Sequence, residues 1–440
     1  MAARAGLSTA LFRESDCAFG SVLRGSRDFH SALCEGALAF RSSGRRVPMR
    51  DCVVHAVRRG LLFAVTATVT ATAVAVTPAP VSSATAVAAP GVSEVAEDSA
   101  DGFADEAPRI PFGERYHAVQ HGGIVRVANS AITCRTTGRF TPVTPVAASA
   151  CEAARDSATA ANDQYDMFYT DLDEDPNTYN STRGELRVPA GGKVSYARLY
   201  WGGNLRVGEQ KPPEDNGRVL IAEPGGAYKE VLSDTLIGRR SAGGADAYQA
   251  SADITPLVRF AGSGMYTVAQ INVAMGRTAA GAWGGWTMVV AYERAEDPLR
   301  HLVVWDGFEA LDAEHPQVRA GLGKLPTPAG AEGAIGVVSY DGDSGAGGES
   351  LTVGTGRGNA RSIGDRVNPA GDVMNSSIAD DGINQIKRKP AYKNTLGYDS
   401  DIFDLREALV PGGDTMNVSY RTGRDSVWLG AFFVAVDARR

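Results

Sequence analysis

Residues 194–201 read VSYARLYW, an alternation that places Leu199 and Trp201 on one side of an extended chain and Tyr196 and Tyr200 on the other. Successive side chains of a β-strand point to opposite faces, so this period of two is typical of a strand with one face in a core. The same alternation recurs along the chain, most clearly at residues 265–273 and 286–292. Glycine, proline and aspartate turns separate these segments, and their spacing predicts an all-β fold of antiparallel sandwiches.

The composition agrees with many short strands and argues against a nucleic-acid partner. The chain has 440 residues with 51 glycines, 43% hydrophobic residues and a formal net charge of −7. Glycine at this level without a repeating period indicates many turns. Nucleic-acid binding depends on clustered lysine and arginine, and no basic stripe interrupts the acidic balance. We therefore expect a globular protein that does not bind nucleic acid.

An apolar run at residues 60–76 follows the arginine pair 58–59 and precedes small residues suited to cleavage. These features make up an export signal, through either the general or the twin-arginine route. We assign residues 49–90 to this signal, with Met49 as the start, and residues 1–48 to a non-native N-terminal extension. The run is short for a bilayer-spanning helix. We expect an extracellular protein, secreted or envelope-associated, that meets the membrane only through its signal.

The folded part is predicted to follow a disordered linker at residues 91–110, which has few large apolar side chains. The motif Asp-Ile-x-x-Leu occurs at residues 253–257 and again at 401–405, each time beside helix-capping residues and before a glycine and a strand. This repetition predicts two related jelly-roll-like sandwich modules, at residues 111–300 and 301–440, each with one short corner helix. Coincidence between two short capped turns is the alternative.

Two cysteines remain after the signal, Cys134 and Cys151, on either side of a polar loop. In an oxidising compartment a pair so close in sequence is expected to form a disulfide. A redox or metal-binding role is disfavoured because the pair lacks the CxxC spacing and has no adjacent histidine.

Five segments carry distinctive motifs: YHAVQHGG at 116–123, ARLYWGGN at 197–204, GGWTMVVAY at 284–292, VWDGF at 304–308 and LGYDSD at 396–401. With these motifs the chain, over residues 112–437, resembles an uncharacterised family of exported actinobacterial proteins. A similar module occurs near the N-terminus of large bacterial surface proteins with adhesin-like repeats. The resemblance implies a domain of unknown function with a secreted or surface role, and it supplies no catalytic residues. Because Arg440 comes directly after the last predicted strand, we expect no such repeats and no wall anchor.

A first candidate calcium site lies in the segment after residue 170, where oxygen side chains occupy alternate positions: Asp171, Asp173, Asp175 and Asn177. Alternate oxygen ligands are the spacing of a calcium-binding loop. The turn-making glycine and the twelfth-position glutamate of an EF-hand are missing, so a solvated acidic turn is the alternative.

A second acidic set comes from two segments that the repeat brings to one end of the second module: Asp341, Asp343, Glu349, Asp399 and Asp401. Carboxylates that converge repel one another unless a cation neutralises them. Calcium is the one cofactor that the sequence suggests.

Aromatic and histidine residues supply the remaining candidates. Tyr196, Tyr200 and Trp283 are candidate ligand-binding residues, because exposed rings on a sandwich can stack on sugars; packing under a loop or against the other module is the alternative. His117 and His121 lie four residues apart, but their extended, glycine-flanked setting disfavours a metal site.

The sequence as a whole favours a secreted or cell-surface, non-catalytic binding or structural module, stabilised by calcium. Its expected partner is a cell-wall or extracellular polysaccharide or a protein. The rival hypothesis is a secreted hydrolase that acts on a wall or extracellular polymer through paired carboxylates.

Overall fold

The computed structural model describes residues 110–137, 142–157, 159–356 and 360–439, which fall in one compact unit. The predicted N-terminal extension, the export signal and all of the linker before Ile110 lie outside the described residues. Nearly all regular structure in the described ranges is β-strand. Among these residues, no helix has the length and apolar character that a membrane crossing needs.

The strands up to residue 293 and the two helices have the following bounds: β1 (Ile110–Ser130), β2 (Ile132–Cys134), α1 (Pro145–Asp156), β3 (Met167–Tyr169), β4 (Ser181–Leu186), β5 (Lys193–Asn204), β6 (Arg218–Ala222), β7 (Lys229–Leu232), β8 (Gly238–Ala242), β9 (Ala245–Asp253), α2 (Thr255–Ala261), β10 (Gly264–Ala269) and β11 (Gly284–Glu293). The later strands are β12 (Leu299–Leu311), β13 (Gln317–Lys324), β14 (Gly333–Tyr340), β15 (Ser350–Thr355), β16 (Arg361–Ile363), β17 (Ala379–Asp380), β18 (Ile383–Asn384), β19 (Arg388–Lys389), β20 (Tyr398–Asp404), β21 (Thr415–Arg421) and β22 (Val427–Asp437).

The strands form two sandwiches with the same connectivity. In the first sandwich the strand order is β1-β11-β5-β9 in the inner sheet and β4-β10-β6-β7 in the outer sheet. In the second, it is β12-β22-β14-β20 and β13-β21-β15-β16. When the eight strands of each sandwich are numbered in chain order, the two sandwiches have the same strand order in both of their sheets. This order is the double Greek key of a jelly roll. The predicted all-β, jelly-roll-like fold is confirmed.

Each sandwich has its own apolar core, made by the alternation seen in the sequence. Leu199 and Trp201 of β5 pack in the first core, while Val337 of β14 and Phe432 of β22 pack in the second. The short strands β8, β17 and β18 extend the inner sheets, β19 borders β4, and β2 pairs with β3. Every large side chain named here is fully buried, and such burial is the main source of folding free energy.

β1 joins the two inner sheets. Its residues 110–121 pair with β12, and its residues 122–130 pair with β11. Between these halves, Gly122 has a φ of +149°, and a Cβ there would lie 1.9 Å from the Tyr292 carbonyl oxygen. The two inner sheets also pack face to face through a third apolar cluster, so the unit has four layers. The module boundaries at 111–300 and 301–440 stay a prediction.

One of the two predicted corner helices is present and the other is not. α2 begins at Thr255 with Pro256 in its first turn and ends before Gly262, but its N-cap residue is Ile254 and not the expected Thr255, and no side chain caps it. The second copy of the motif, residues 401–405, instead completes β20, whose Phe403 is buried in the second core. Asp404 caps only a turn, since its Oδ1 accepts from the Arg406 amide at 2.6 Å. The prediction of a second helix is therefore wrong, because strand pairing with β14 outweighs the capping signal.

The Cys134–Cys151 disulfide is confirmed. The polar loop between the two cysteines leads into α1, a helix that contains Cys151 and that the sequence reasoning missed. Thr144 caps this helix by accepting from the Ala147 amide at 3.2 Å, and Pro145 lies in its first turn. A capping threonine followed by proline was the available signal.

Candidate functional site

The acidic segments of the second sandwich meet at one end of its inner sheet. β14 ends at Tyr340 and β20 begins at Tyr398, and these two residues are direct cross-strand partners. Because the strands run antiparallel, Asp341, just after β14, and Asp399, just inside β20, lie at the same end of the sheet. We call Asp341, Asp343, Glu349, Asp399, Asp401 and Asp425 the acidic cluster.

Asp341 and Asp343 share an amide partner from the first sandwich. Asn162 Nδ2 donates to Asp341 Oδ1 at 2.9 Å and to Asp343 Oδ1 at 3.0 Å. The Asp343 main-chain N–H in turn donates to Asp425 Oδ2 at 2.9 Å. Asn162 begins the short 3-10 helix Asn162–Gln164, which follows α1. This part of the acidic cluster therefore ties the two sandwiches together.

Glu349, Asp399 and Asp401 are the most deeply buried members. Glu349 is 2% exposed, and the two aspartates are fully buried. Glu349 Oε2 accepts from the Met374 amide at 3.0 Å, and Asp399 Oδ1 accepts from the Ser377 amide at 3.0 Å. Asp399 Oδ2 and Asp401 Oδ2 are buried with no hydrogen-bond partner among the described residues. A buried oxygen in this state is expensive unless a proton or a cation reaches it.

Burial raises the pKa of the carboxyl groups in this cluster, and repulsion between them adds to the effect. The pKa of Asp343 rises to about 7 through burial and the neighbouring Asp425 charge. Burial likewise raises the pKa of Asp425 to about 6 and that of Glu349 to about 8. Burial and adjacent carboxylates hold the pKa of Asp341 and Asp399 well above the ordinary value. Near neutral pH the cluster therefore binds protons or requires another positive charge.

Arg126 approaches the acidic cluster from the side of Asp401. Burial raises the pKa of Asp401 to about 7, and the positive charge of Arg126 opposes part of that rise. The Arg126 side chain is itself 1% exposed and pairs with Asp380. At the other side, the charges that raise the pKa of Asp341 and Asp343 are those of further carboxylates. The arginine therefore compensates one edge of the cluster and leaves the other with excess negative charge.

The backbone around the cluster is strained at three non-glycine residues. Asp341, Ser376 and Leu396 have φ values of +62°, +63° and +58°. They lie in adjoining loops: the Asp341 amide donates to the Gly397 carbonyl at 2.9 Å, and the Thr395 amide donates to the Ser376 carbonyl at 2.8 Å. Left-handed non-glycine residues are costly and collect at functional sites. Their grouping marks these loops as the best candidate site among the described residues.

The chemistry of the cluster suits a hard cation, but its geometry is incomplete. Within the described ranges, no three His, Cys, Asp or Glu side chains converge closely enough to hold a metal ion. Calcium takes six to eight oxygen ligands, among them backbone carbonyls, amide oxygens and water. The unpartnered Asp399 and Asp401 oxygens are ligands of the right type, and a calcium ion here would also draw on main-chain or asparagine oxygens.

In the first acidic segment, the aspartate side chains accept hydrogen bonds from nearby residues of the same stretch of chain. Asp173 Oδ1 accepts from the Thr178 hydroxyl at 3.1 Å and from the Asp175 amide at 3.2 Å. Asp175 Oδ1 accepts from the Asn177 amide at 2.9 Å, and Asp171 Oδ1 accepts from the Ser181 hydroxyl at 3.2 Å. These contacts are those of side chain-capped turns. The calcium site in this segment and its alternative, a solvated acidic turn, both stay predictions.

The three candidate sugar-binding rings lie inside the protein. Tyr200 and Trp283 are fully buried and Tyr196 is 9% exposed. Tyr196 stacks on Tyr116 with ring centroids 4.4 Å apart, and Trp283 packs against Trp428 at 4.8 Å. The rings are not exposed, which matches the alternative of packing against the other module. The second face of β5, with Tyr196 and Tyr200, is covered by the other sandwich, and Trp283, just before β11, packs against Trp428 of β22.

Three polar residues were not identified from the sequence as candidate site residues. Asp425 and Asn162 join the acidic cluster from segments far away in the chain, so no local spacing could reveal them. His301 lies beside His117, with Nδ1 of His301 3.4 Å from Nε2 of His117. His301 lies on β12, and only the pairing of β1 with β12 brings the two rings together.

Comparison with known proteins yields a distant likeness of fold. No family model and no curated protein matches the chain. Among solved structures, it is similar to a peptide-N(4)-(N-acetyl-β-D-glucosaminyl)asparagine amidase at 14% identity, over 61% of this chain and 96% of that one, with a TM-score of 0.22. It is similar to PNGase F, a glycosylasparaginase from Flavobacterium meningosepticum, at 12% identity, over 61% and 95%, with a TM-score of 0.21. A Sulfolobus turreted icosahedral virus structure matches at 10% identity, over 58% and 86%, with a TM-score of 0.20. Likeness at this level does not support an activity for this chain.

Proposed function

We propose that this chain is a secreted or cell-surface module with a binding or structural role, and that calcium stabilises the acidic cluster of its second sandwich. The observation that carries the calcium assignment is the pair of fully buried, unpartnered oxygens, Asp399 Oδ2 and Asp401 Oδ2. They lie in a cluster with excess negative charge and a strained backbone. The export signal predicted from the sequence supports an extracellular setting, where calcium is plentiful.

Burial of the cluster supports a structural role over hydrolysis. Paired carboxylates that cleave a glycosidic bond must contact the substrate from both sides, at about 5 to 9.5 Å from each other. Asp399 and Asp401 are fully buried and Glu349 is 2% exposed. A polymer chain would reach them only after the surrounding loops had opened.

Thermal unfolding tests the calcium proposal. The protein is unfolded at pH 8, above the raised pKa values of Asp343, Asp401 and Asp425, in excess EGTA and in millimolar calcium. A cation that binds only the folded state stabilises it by about 2.7 kcal/mol at a hundredfold excess over its Kd. We expect calcium to raise Tm by several degrees. The same Tm in both buffers would overturn the proposal.

The variant Asp343→Asn distinguishes calcium binding from a general effect of charge repulsion on stability. Its removed charge lies next to Asp425, so in EGTA we expect the variant to be at least as stable as the wild type, with a smaller response to calcium. The matched control is Asp175→Asn in the self-capped turn, for which we expect the wild-type response. Equal calcium responses in all three proteins would place the ion elsewhere. Release of soluble sugars from wall polysaccharide by the purified protein would favour the hydrolase instead.

A further inference from the structure

The outer sheet of the second sandwich buries one face in the core and leaves the other open to solvent. Along β21, Val418 is buried in the second core, whereas Asn417 and Arg421 are exposed. β13 pairs with β21 and places the exposed Arg319 directly opposite Ser419. Because the side chains of a strand alternate between its faces, polar residues of neighbouring strands share the open side. We call this side the outer face and define it by six residues: Gln317, Arg319, Thr352, Asn417, Ser419 and Arg421.

The outer face is positively charged, although the net charge of the chain is −7. The charged side chains of β13, β15, β16 and β21 are all cations: Arg319, Lys324, Arg361 and Arg421. Glu314 and Asp414 lie in the turns before β13 and β21, at the ends of the face. Among the described residues, neither Arg319 nor Arg421 forms an ion pair, and Arg319 Nη2 instead donates to Gln317 Oε1 at 3.4 Å. Both guanidinium groups therefore keep donors for an external anion.

In the first sandwich, an acidic segment covers the corresponding face. Thr267 of β10, the strand that holds the place of β21, points away from the core but is only 7% exposed. Asp173, which precedes β4, accepts a hydrogen bond from Tyr228, which follows β6, and β10 lies between these two strands. Because the core fills the other side of the sheet, this bond crosses β10 on the outward side. Residues 171–178, with four carboxyl groups, therefore lie over the face whose counterpart is open in the second sandwich.

An anionic polymer is the occupant that fits the outer face. Side chains on one face of a strand recur about every 6.6–6.8 Å, so Asn417, Ser419 and Arg421 form a line of polar groups along β21. Guanidinium groups bind carboxylate or phosphate through paired hydrogen bonds, and amide and hydroxyl groups bond to sugar hydroxyls. None of the six residues is aromatic or large and apolar, whereas the centre of a protein–protein interface is rich in such side chains. We propose that the outer face binds a polysaccharide that carries carboxylate or phosphate groups.

The proposed site rests on the binding role argued above and names its class of partner. It does not depend on calcium, since the outer face contains none of the residues of the acidic cluster. An open sheet surface suits an extended polymer, whereas small molecules bind in concave pockets.

Binding of the full-length protein to immobilised polysaccharides tests the proposal by biolayer interferometry in EGTA. Hyaluronate supplies carboxylate groups, teichoic acid supplies phosphate groups, and dextran is the neutral control. The test variant combines Arg319→Gln with Arg421→Gln. The matched control combines Arg187→Gln with Arg218→Gln, which removes the same charge from the first sandwich, where these side chains are 62% and 57% exposed. Salt at about 0.1 M screens charges that lie more than about 10 Å apart.

We expect the wild type to bind hyaluronate, teichoic acid or both, but not dextran, and the polymer that binds identifies the anionic group. The test variant should bind about tenfold more weakly, because two exposed ion pairs are lost. The control should change the affinity by less than about twofold, because its charges lie on the other sandwich. Asn417→Asp, which adds a negative charge to the outer face, should also weaken binding. It decides the question if circular dichroism shows that the test variant is unfolded.

Wild-type affinity in the test variant, or an equal loss in the control, would overturn the outer face as the site and leave the binding role in place. No binding of the wild type to either charged polymer would overturn the inference itself, while the calcium response of Tm tests the acidic cluster separately. Equally tight binding to double-stranded DNA, with the same loss in the test variant, would overturn the polysaccharide assignment.

Discussion

Replacing Asp306 by Asn should destabilise the contact between the two sandwiches. Asp306 lies on β12 and is 6% exposed. Its oxygens accept from Arg115 Nε and Nη2 at 2.8–3.0 Å and from the Tyr200 hydroxyl at 3.0 Å. Arg198 Nε lies 3.7 Å away, and its side chain is 3% exposed. The carboxylate therefore neutralises two arginines, one of them buried, where the inner sheets meet.

The expected loss in the free energy of unfolding depends on which ion pairs and hydrogen bonds each partner of Asp306 keeps after the substitution. Removing one member of a buried ion pair costs about 3–5 kcal/mol, because the other charge stays buried and unpaired. Arg115 is 34% exposed and can turn to water, and Arg198 retains Asp234. Asparagine also keeps an oxygen for the Tyr200 hydroxyl. These compensations place the loss at the lower end, at about 3 kcal/mol in the free energy of unfolding.

Urea unfolding followed by tryptophan fluorescence measures the loss, with the m-value as a check that the extent of unfolding is unchanged. Glu230→Gln is the control, since the Arg218–Glu230 pair has side chains 57% and 49% exposed. Exposed pairs contribute about 0–1 kcal/mol. If Asp306→Asn lost no more stability than this control, the carboxylate would not hold the two sandwiches together.

Three further perturbations test other parts of the structure. In EGTA, the free energy of unfolding should fall as pH rises from about 4 through about 7, because the folded state raises the pKa of Asp343 to about 7 and so favours its protonated form. This group alone should lower the free energy of unfolding by about 4 kcal/mol. A plot of Tm against pH measures the fall, and a Tm that rises over this range would contradict it. Replacing Cys134 and Cys151 by serine opens a loop of 17 residues and should cost about 3 kcal/mol in urea unfolding; no loss would show that the bridge does not constrain the unfolded chain. Gly122→Ala should lower Tm more than Gly191→Ala. Both glycines have a positive φ, but only at Gly122 would the added Cβ meet a carbonyl oxygen, at 1.9 Å. Equal Tm values for the two variants would contradict this.

Strand alternation made the fold predictable, while the helix signal was ambiguous. Val194 to Trp201 shows which side chains share a face, and that assignment holds in β5. At residues 401–405 the same residues satisfy both a capped helix and a strand end followed by a turn. The choice between them depends on pairing with β14, a tertiary interaction that local sequence does not contain.

The candidate site was predictable only where one strand pair builds it. The segments that contain Asp341 and Asp399 meet because β14 and β20 are neighbours, and the repeat indicated that. Asn162 reaches the same place from the loop after α1, across the boundary between sandwiches. Such a contact depends on how two complete sandwiches pack, which side-chain alternation within either of them does not specify.

The polar-looking face of β5 is explained by the duplication of the fold. Tyr200 of β5 and Tyr340 of β14 occupy corresponding strands in the two sandwiches, and both are fully buried. Each hydroxyl bonds across to the other sandwich: Tyr200 to Asp306 and Tyr340 to Gln249 Oε1, both at 3.0 Å. A tyrosine can cover apolar surface with its ring and still satisfy its hydroxyl at a polar partner. The face that alternation alone assigns to solvent is therefore the contact surface between the two copies, and tyrosine suits it because that surface is apolar in its centre and charged at Asp306.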